Sequence, residues 1–225
     1  MNAIRIFNEK SADELIVLDI EASCHGRGPD FDRIEQFASE CYMPVCYGGG
    51  ITTVEQAAKV FSLGVEKVSI QTAALRELSL VEAISSRFGS QSVVLSVDVK
   101  RSRLGQPKLY SFSDGKAQKQ QWREWMRSAV DAGAGEILLT AVDREGAMKG
   151  LDLDLIREAA DAVPVPLIAN GGVGSLGDMA LGLGAGASAV AAGAYFVFKG
   201  PHKAVLITYL DESQFAQLVG VSQND

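Results

Sequence analysis

Asp98 closes the apolar run VVLSVD at 93–98, where a carboxylate has little water to share its charge with. An unpaired carboxyl so placed is costly to ionise, so its pKa is expected to rise and it can exchange a proton near neutral pH. The competing reading is a structural aspartate, hydrogen-bonded to Lys100 or to loop backbone. Asp19 and Asp143 finish similar runs, where each could touch a ligand or cap the following loop. Glycines mark a second chemistry. Gly48, Gly49 and Gly50 in YGGGI, and Gly171 and Gly172 in NGGVG, let backbone N–H groups approach an anion closely. Gln71, Thr72, Asn170 and Gly193 fall at the same ends of neighbouring runs. The pattern points to two phosphate sites and to a ligand with a phosphate at each end; glycines that merely permit tight turns are the alternative.

The elements that must position these residues are short and apolar. Runs rich in Val, Ile and Leu cover 15–20, 43–49, 66–72, 93–99, 136–142, 165–171 and 187–193. Each is too continuous for a half-exposed antiparallel strand and reads as a parallel strand buried on both faces. Helix-length amphipathic segments lie between them, at 32–41, 53–63, 79–88, 120–132, 152–162 and 176–184, and another opens the chain. Strand and helix in alternation define an α/β fold.

An internal repeat sharpens the class. Glu14 and Glu136 stand 122 residues apart, and the same step carries Gly49–Gly50 onto Gly171–Gly172 and Gly64 onto Gly186. Two superposable halves of four βα units make a (βα)₈ barrel, whose active site lies at the C-terminal ends of its strands. The mate of VVLSVDVK falls before Met1, so the chain is expected to be a single barrel domain over 1–225 that starts after the first strand, with seven strands in hand. At the other face Glu14, Lys67 and Glu136 begin alternate strands and could meet at the barrel floor, where charges must pair. Solvated strand starts are the plainer reading.

Bulk properties exclude several classes. A formal net charge of −7 without a basic stripe argues against nucleic acid. The N-terminal residues include Arg5, Glu9, Lys10, Asp13 and Glu14, unlike a signal peptide, and no run reaches membrane-span length, so a cytoplasmic protein is expected. Cys24, Cys41 and Cys46 lack CxxC spacing and only His25 and His202 could join them, so no metal site is expected. No cofactor motif stands out.

DELIVLDIEAS, YGGGI, EKVSIQTAA, FGSQSVVLSVDVKR, GAGEILLTAVDREGAMKGLD and NGGVGS together resemble the HisF family, the cyclase subunits of imidazole glycerol phosphate synthase, over almost the whole chain. The resemblance implies a barrel that takes ammonia from a glutaminase subunit and acts on a bisphosphorylated ribulosyl formimino aminoimidazole carboxamide nucleotide. It implies Asp98 as one of two catalytic aspartates, the other lying on strand one. By the same matching, Gly50 and Thr72 line one phosphate, while Gly146, Gly172 and Gly193 line the other. Glu14, Lys67 and Glu136 match an ammonia entrance, and Glu66 an acidic position at the glutaminase interface. Gln71, Glu145 and Asn170 depart from the family pattern, which has Asn, Asp, and Ser or Cys at those positions. The ending FVFKGPHKAVLITYL is similar to HisF-like paralogues of surface-polysaccharide clusters, whose ammonia serves a separate amidotransferase that makes acetamidino sugars. The pathway's single-chain sister isomerase has no use for the Glu14, Lys67 and Glu136 trio.

Overall fold

The computed structural model describes residues 2–200 and 202–221. An opening helix α1 (Asn2–Glu9) leads into strand β1 (Leu15–Leu18), and alternation then runs through α2 (Phe31–Ala38), β2 (Val45–Gly48), α3 (Val54–Ser62) and β3 (Lys67–Ile70). Helices α4 (Thr72–Arg76) and α5 (Ser79–Phe88) precede the long strand β4 (Val93–Arg101). Two short antiparallel strands, β5 (Pro107–Ser111) and β6 (Lys116–Ala117), extend it before α6 (Trp122–Asp131). The second half continues with β7 (Glu136–Ala141), α7 (Leu153–Ala160), β8 (Leu167–Asn170), α8 (Leu176–Gly184) and β9 (Ala189–Val190). A short helix α9 (Ala194–Val197), the hairpin β10 (Phe198–Lys199) with β11 (Ala204–Val205), and α10 (Glu212–Val221) complete it.

Seven parallel strands pair in the order β1-β2-β3-β4-β7-β8-β9. Parallel strands joined in sequence by outer helices, with an inward and an outward set of side chains, make this a (βα)₈ barrel. Among the described residues no strand joins β9 to β1.

The two sets of side chains form two cores. Outward residues such as Val45, Val68, Leu95, Ile137 and Leu167 pack under helix residues Ile34, Val60, Ile84 and Met126. Inward residues Cys46, Val94, Leu138 and Ile168, with Ile16 and Ala191, fill the lumen as a separate cluster. The helices start where the sequence supplies caps. Asp30 accepts from Arg33 N and Asp152 from Leu155 N, while Thr53 and Ser175 cap α3 and α8. Each pair is again 122 residues apart, so the repeat extends to the local hydrogen bonds that set the register of the helices.

Two expectations need correction in detail. The β5–β6 hairpin was not foreseen, although Asp114-Gly115 between alternating residues is a hairpin signal. The final run was read as a strand over 187–193, but only Ala189–Val190 pair, because small alanines pack weakly in a sheet and the chain turns at Gly193 into α9.

Candidate active site and entrance

A cavity of about 740 Å³ opens at the C-terminal ends of the strands. Asp98 contributes to its floor from β4, beside Thr140 of β7, its partner in the strand register. The carboxyl is recessed and meets the cavity rather than bulk water. Burial pushes its pKa up and the nearby Glu145 adds to this, while the side chains of Gln71 and Thr140 favour the ionised form less strongly. The amide Nε2 of Gln71 is buried with no partner at hydrogen-bond geometry. Asn170 Nδ2 donates to Thr140 Oγ1 at 3.3 Å, so β8, β7 and β4 present linked polar groups at one level. Neither Lys100 nor loop backbone is among the groups that act on Asp98; Lys100 turns instead toward the Tyr110 ring.

Asp19 caps the following loop and also faces the cavity. Its Oδ1 accepts from the backbone of Glu21 and Ala22, each at 3.1 Å, and the residue lines the cavity. Asp143 lies apart from that cavity. Its Oδ2 accepts from Arg101 N at 2.6 Å, beside the bidentate pairing of Arg101 with the buried Asp152. This network ties the end of β4 to the start of α7 and frames the 143–150 loop.

The glycines fall into two groups. Gly50 has φ +69, and a Cβ there would sit 2.3 Å from Arg27 O, so only glycine fits the turn without rebuilding it. Gly50, Thr72 and Gln71 line the cavity together, with Thr72 Oγ1 3.4 Å from Ser113 Oγ of the chain following β5. Ser69, 5% exposed, also lines it and has no partner for its hydroxyl. A recess walled by unpaired donors suits a polyoxyanion. Gly172 has φ +111 and an equally close approach to Gly150 O, but Gly172, Gly146 and Gly193 lie outside the lining of the cavity, around the loop after β7. Lys203 Nζ stands 3.5 Å from Gly146 O.

Two basic residues that carry no signal in the sequence also share this space. Arg27 and Arg76 supply its positive charge, and Glu145 its third carboxylate after Asp19 and Asp98. The basic residues sit in loops and helix ends, where no periodicity singles them out.

At the opposite end of the lumen the three charges do meet. Lys67 Nζ donates to Glu14 Oε2 at 3.0 Å and to Glu136 Oε2 at 2.9 Å, and all three are largely buried. Desolvation alone would lower the Lys67 pKa, but the bonds from Glu136 and Glu14 more than offset it and the net shift is upward. Glu14 Oε1 is buried without a partner. Cys46 lies above them, its thiol pushed up by burial first and by Glu14 second. Glu66, at the rim, spends Oε2 on Val45 N at 2.6 Å, so it holds the start of β2 as well as facing outward. Among the described residues no group of three or more His, Cys, Asp or Glu side chains could hold a metal, and no helix is long and apolar enough to cross a membrane.

Comparison with known proteins agrees with this architecture. The model of the family described as histidine biosynthesis protein matches residues 1–202. A Pseudomonas aeruginosa protein provisionally named imidazole glycerol phosphate synthase subunit hisF2 is 51% identical over 212 residues, covering 94% of this chain and 84% of its own. A Vibrio vulnificus protein provisionally named subunit hisF3 is 44% identical, covering 95% and 83%. The imidazole glycerol phosphate synthase subunit HisF of Exiguobacterium sibiricum is 41% identical, covering 85% and 77%. With its barrel, its repeated glycine turns and these relatives, the chain belongs to the histidine biosynthesis protein family, among the HisF-like subunits.

Proposed function

We propose that the chain is a cyclase subunit of imidazole glycerol phosphate synthase, acting in histidine biosynthesis in the cytoplasm. It takes ammonia from a glutaminase subunit and uses it to convert the bisphosphorylated ribulosyl formimino nucleotide to imidazole glycerol phosphate and aminoimidazole carboxamide ribotide. The observation that carries this reading is one lumen with a charged floor at Glu14, Lys67 and Glu136 and a recessed acid, Asp98, at its other end. Ammonia can pass an apolar plug such as Cys46, Val94, Leu138 and Ile168 as a neutral molecule, whereas ammonium would have to shed its hydration first.

In this reading Asp98 exchanges protons with the substrate during ring closure, a role that suits a carboxyl whose pKa lies above the ordinary range. Gly50 and Thr72 hold one phosphate, and Gly146, Gly172 and Gly193 the other. Gln71, Asn170 and Asp19 contact the body of the substrate, and Glu66 contributes to the glutaminase interface; Asp143 acts through the loop that it braces. The three cysteines are free, in keeping with a reducing compartment.

A second reading is favoured by the ending FVFKGPHKAVLITYL, which is similar to HisF-like paralogues of surface-polysaccharide clusters, and by relatives whose names carry the numbers hisF2 and hisF3. In it the barrel conducts ammonia to a separate amidotransferase that makes acetamidino sugars. Complementation separates the two. Growth of a histidine auxotroph lacking its cyclase subunit, lost on Asp98→Asn, supports the cyclase; no growth despite folded protein and active glutaminase leaves only the conduit.

A further inference from the structure

The Gly50 end of the cavity poses a problem of charge. Its lining carries the carboxylates of Asp19, Asp98 and Glu145, and among the described lining residues only Arg27 and Arg76 are basic. A phosphate dianion entering beside these carboxylates meets repulsion in a recess with little water, and a cation on the rim offsets it more than neutral donors do.

Arg27 is the better placed of the two. Its backbone touches the glycine turn, with Arg27 O 2.3 Å from where a Cβ on Gly50 would lie, so the arginine and the Gly50 N–H share one rim. The guanidinium is held loosely: Nη1 is 3.9 Å from Asp19 Oδ2, and half of the side chain is exposed. A pair that long is worth little in water and yields easily to a dianion offering bidentate bonds. The sequence repeat puts a second basic residue at the matching position. Lys149 stands 122 residues after Arg27, just ahead of Gly150, whose carbonyl oxygen lies 2.3 Å from where a Cβ on Gly172 would be. The position is thus basic in both halves of the twofold repeat.

We infer that Arg27 is the cation that receives the phosphate at the Gly50 and Thr72 end, leaving Asp19 when the ligand enters. This rests on the phosphate reading above and adds to it the residue that gives that end its affinity for a dianion.

The test is an amide-resolved NMR titration of the full chain with inorganic phosphate, reading Gly50 and Thr72 for this end and Gly172 and Gly193 for the other. Arg27→Met should weaken binding at Gly50 and Thr72 by about tenfold or more, the usual loss for a charge-assisted contact, while Gly172 and Gly193 respond as before. Arg27→Lys should recover part of the affinity, since lysine keeps the charge and loses the fork. The unshifted remainder of each spectrum reports that the variant is folded. If the native protein binds phosphate at Gly50 and Thr72 and Arg27→Met binds equally well, or if the loss follows Arg76→Met instead, the inference is overturned while the phosphate reading stands. If those amides do not respond in the native protein, the phosphate reading itself fails at this end and the inference falls with it.

Discussion

Lys67 and Glu136 meet at 2.9 Å although β4 lies between their strands in the sheet, so the bond crosses the barrel floor. Glu14 reaches the same ammonium from the other side at 3.0 Å. One cation thus fixes two anions that would otherwise repel each other across a narrow lumen.

Replacing that cation is therefore expected to cost more than one hydrogen bond. Lys67→Met leaves two recessed carboxylates unpaired and should destabilise the fold by about 2 kcal/mol, read by urea unfolding at neutral pH. The pH dependence follows from the raised lysine pKa. A lysine raised in the folded state stabilises fully below its unfolded value, about 10.4, and loses that contribution as pH climbs through the folded value. The gap between native protein and variant should narrow only above about pH 10. A gap unchanged through that range would show that Lys67 does not titrate with the cluster.

Asp98 is raised as well, so its pH slope has the same sign at the acid end of the scale. Its carboxyl is raised, so the folded protein holds a proton that the unfolded chain releases above about pH 4, and stability falls as pH rises through the folded value. Asp98→Asn removes that penalty and should be at least as stable as the native protein at pH 8, while kcat falls by about 10²–10⁴. An active Asp98→Asn protein would remove Asp98 from the proton transfer.

The glycine turn gives a purely steric test. Gly50→Ala places a methyl group against Arg27 O at a φ of +69, and should lower stability by about 2 kcal/mol or more. Gly26, with a similar φ of +63 and open space around it, should lose less on the same substitution. Calorimetry of the two variants side by side checks this; equal losses would mean that backbone conformation alone, without the close approach, sets the cost.

Tyr209 joins the C-terminal segment to the residue before Glu14. Burial, and next the bond to Asp13, raise its pKa to about 12, and burial also raises Tyr47 to about 12. Ultraviolet titration should show two late tyrosine steps, of which Tyr209→Phe removes one and lowers stability by about 1 kcal/mol. Retention of both steps in the variant would sink the assignment.

The sequence displayed the barrel because its dominant signal, continuous β-branched runs separated by amphipathic helices, is what burial on two faces demands. It displayed Asp98 and the Glu14, Lys67 and Glu136 cluster because charge inside or at the head of an apolar run is costly enough to stand out. Arg27 and Arg76 gave no such signal: exposed basic residues in loops and at helix ends are ordinary, and only the folded chain puts these two on the cavity wall. Asp143 left two readings open in the sequence, since a strand-end carboxylate can turn to either side of the sheet edge; in the folded chain it turns to Arg101 N. The β5–β6 hairpin leaves little trace because β5 holds one buried aliphatic residue, Leu109, and β6 is two exposed residues, although its Asp114-Gly115 turn is in view.

The matched helix caps, Asp30 with Asp152 and Thr53 with Ser175, have a meaning for ancestry. A cap is a local choice that serine, threonine, aspartate or asparagine can fill, and two unrelated half-barrels would have no reason to choose at matching steps. Shared descent from one duplicated half explains the coincidence, and it makes each half a candidate for exchange: a chimaera spliced between β3 and β4 inherits complete helix starts on both sides of the junction.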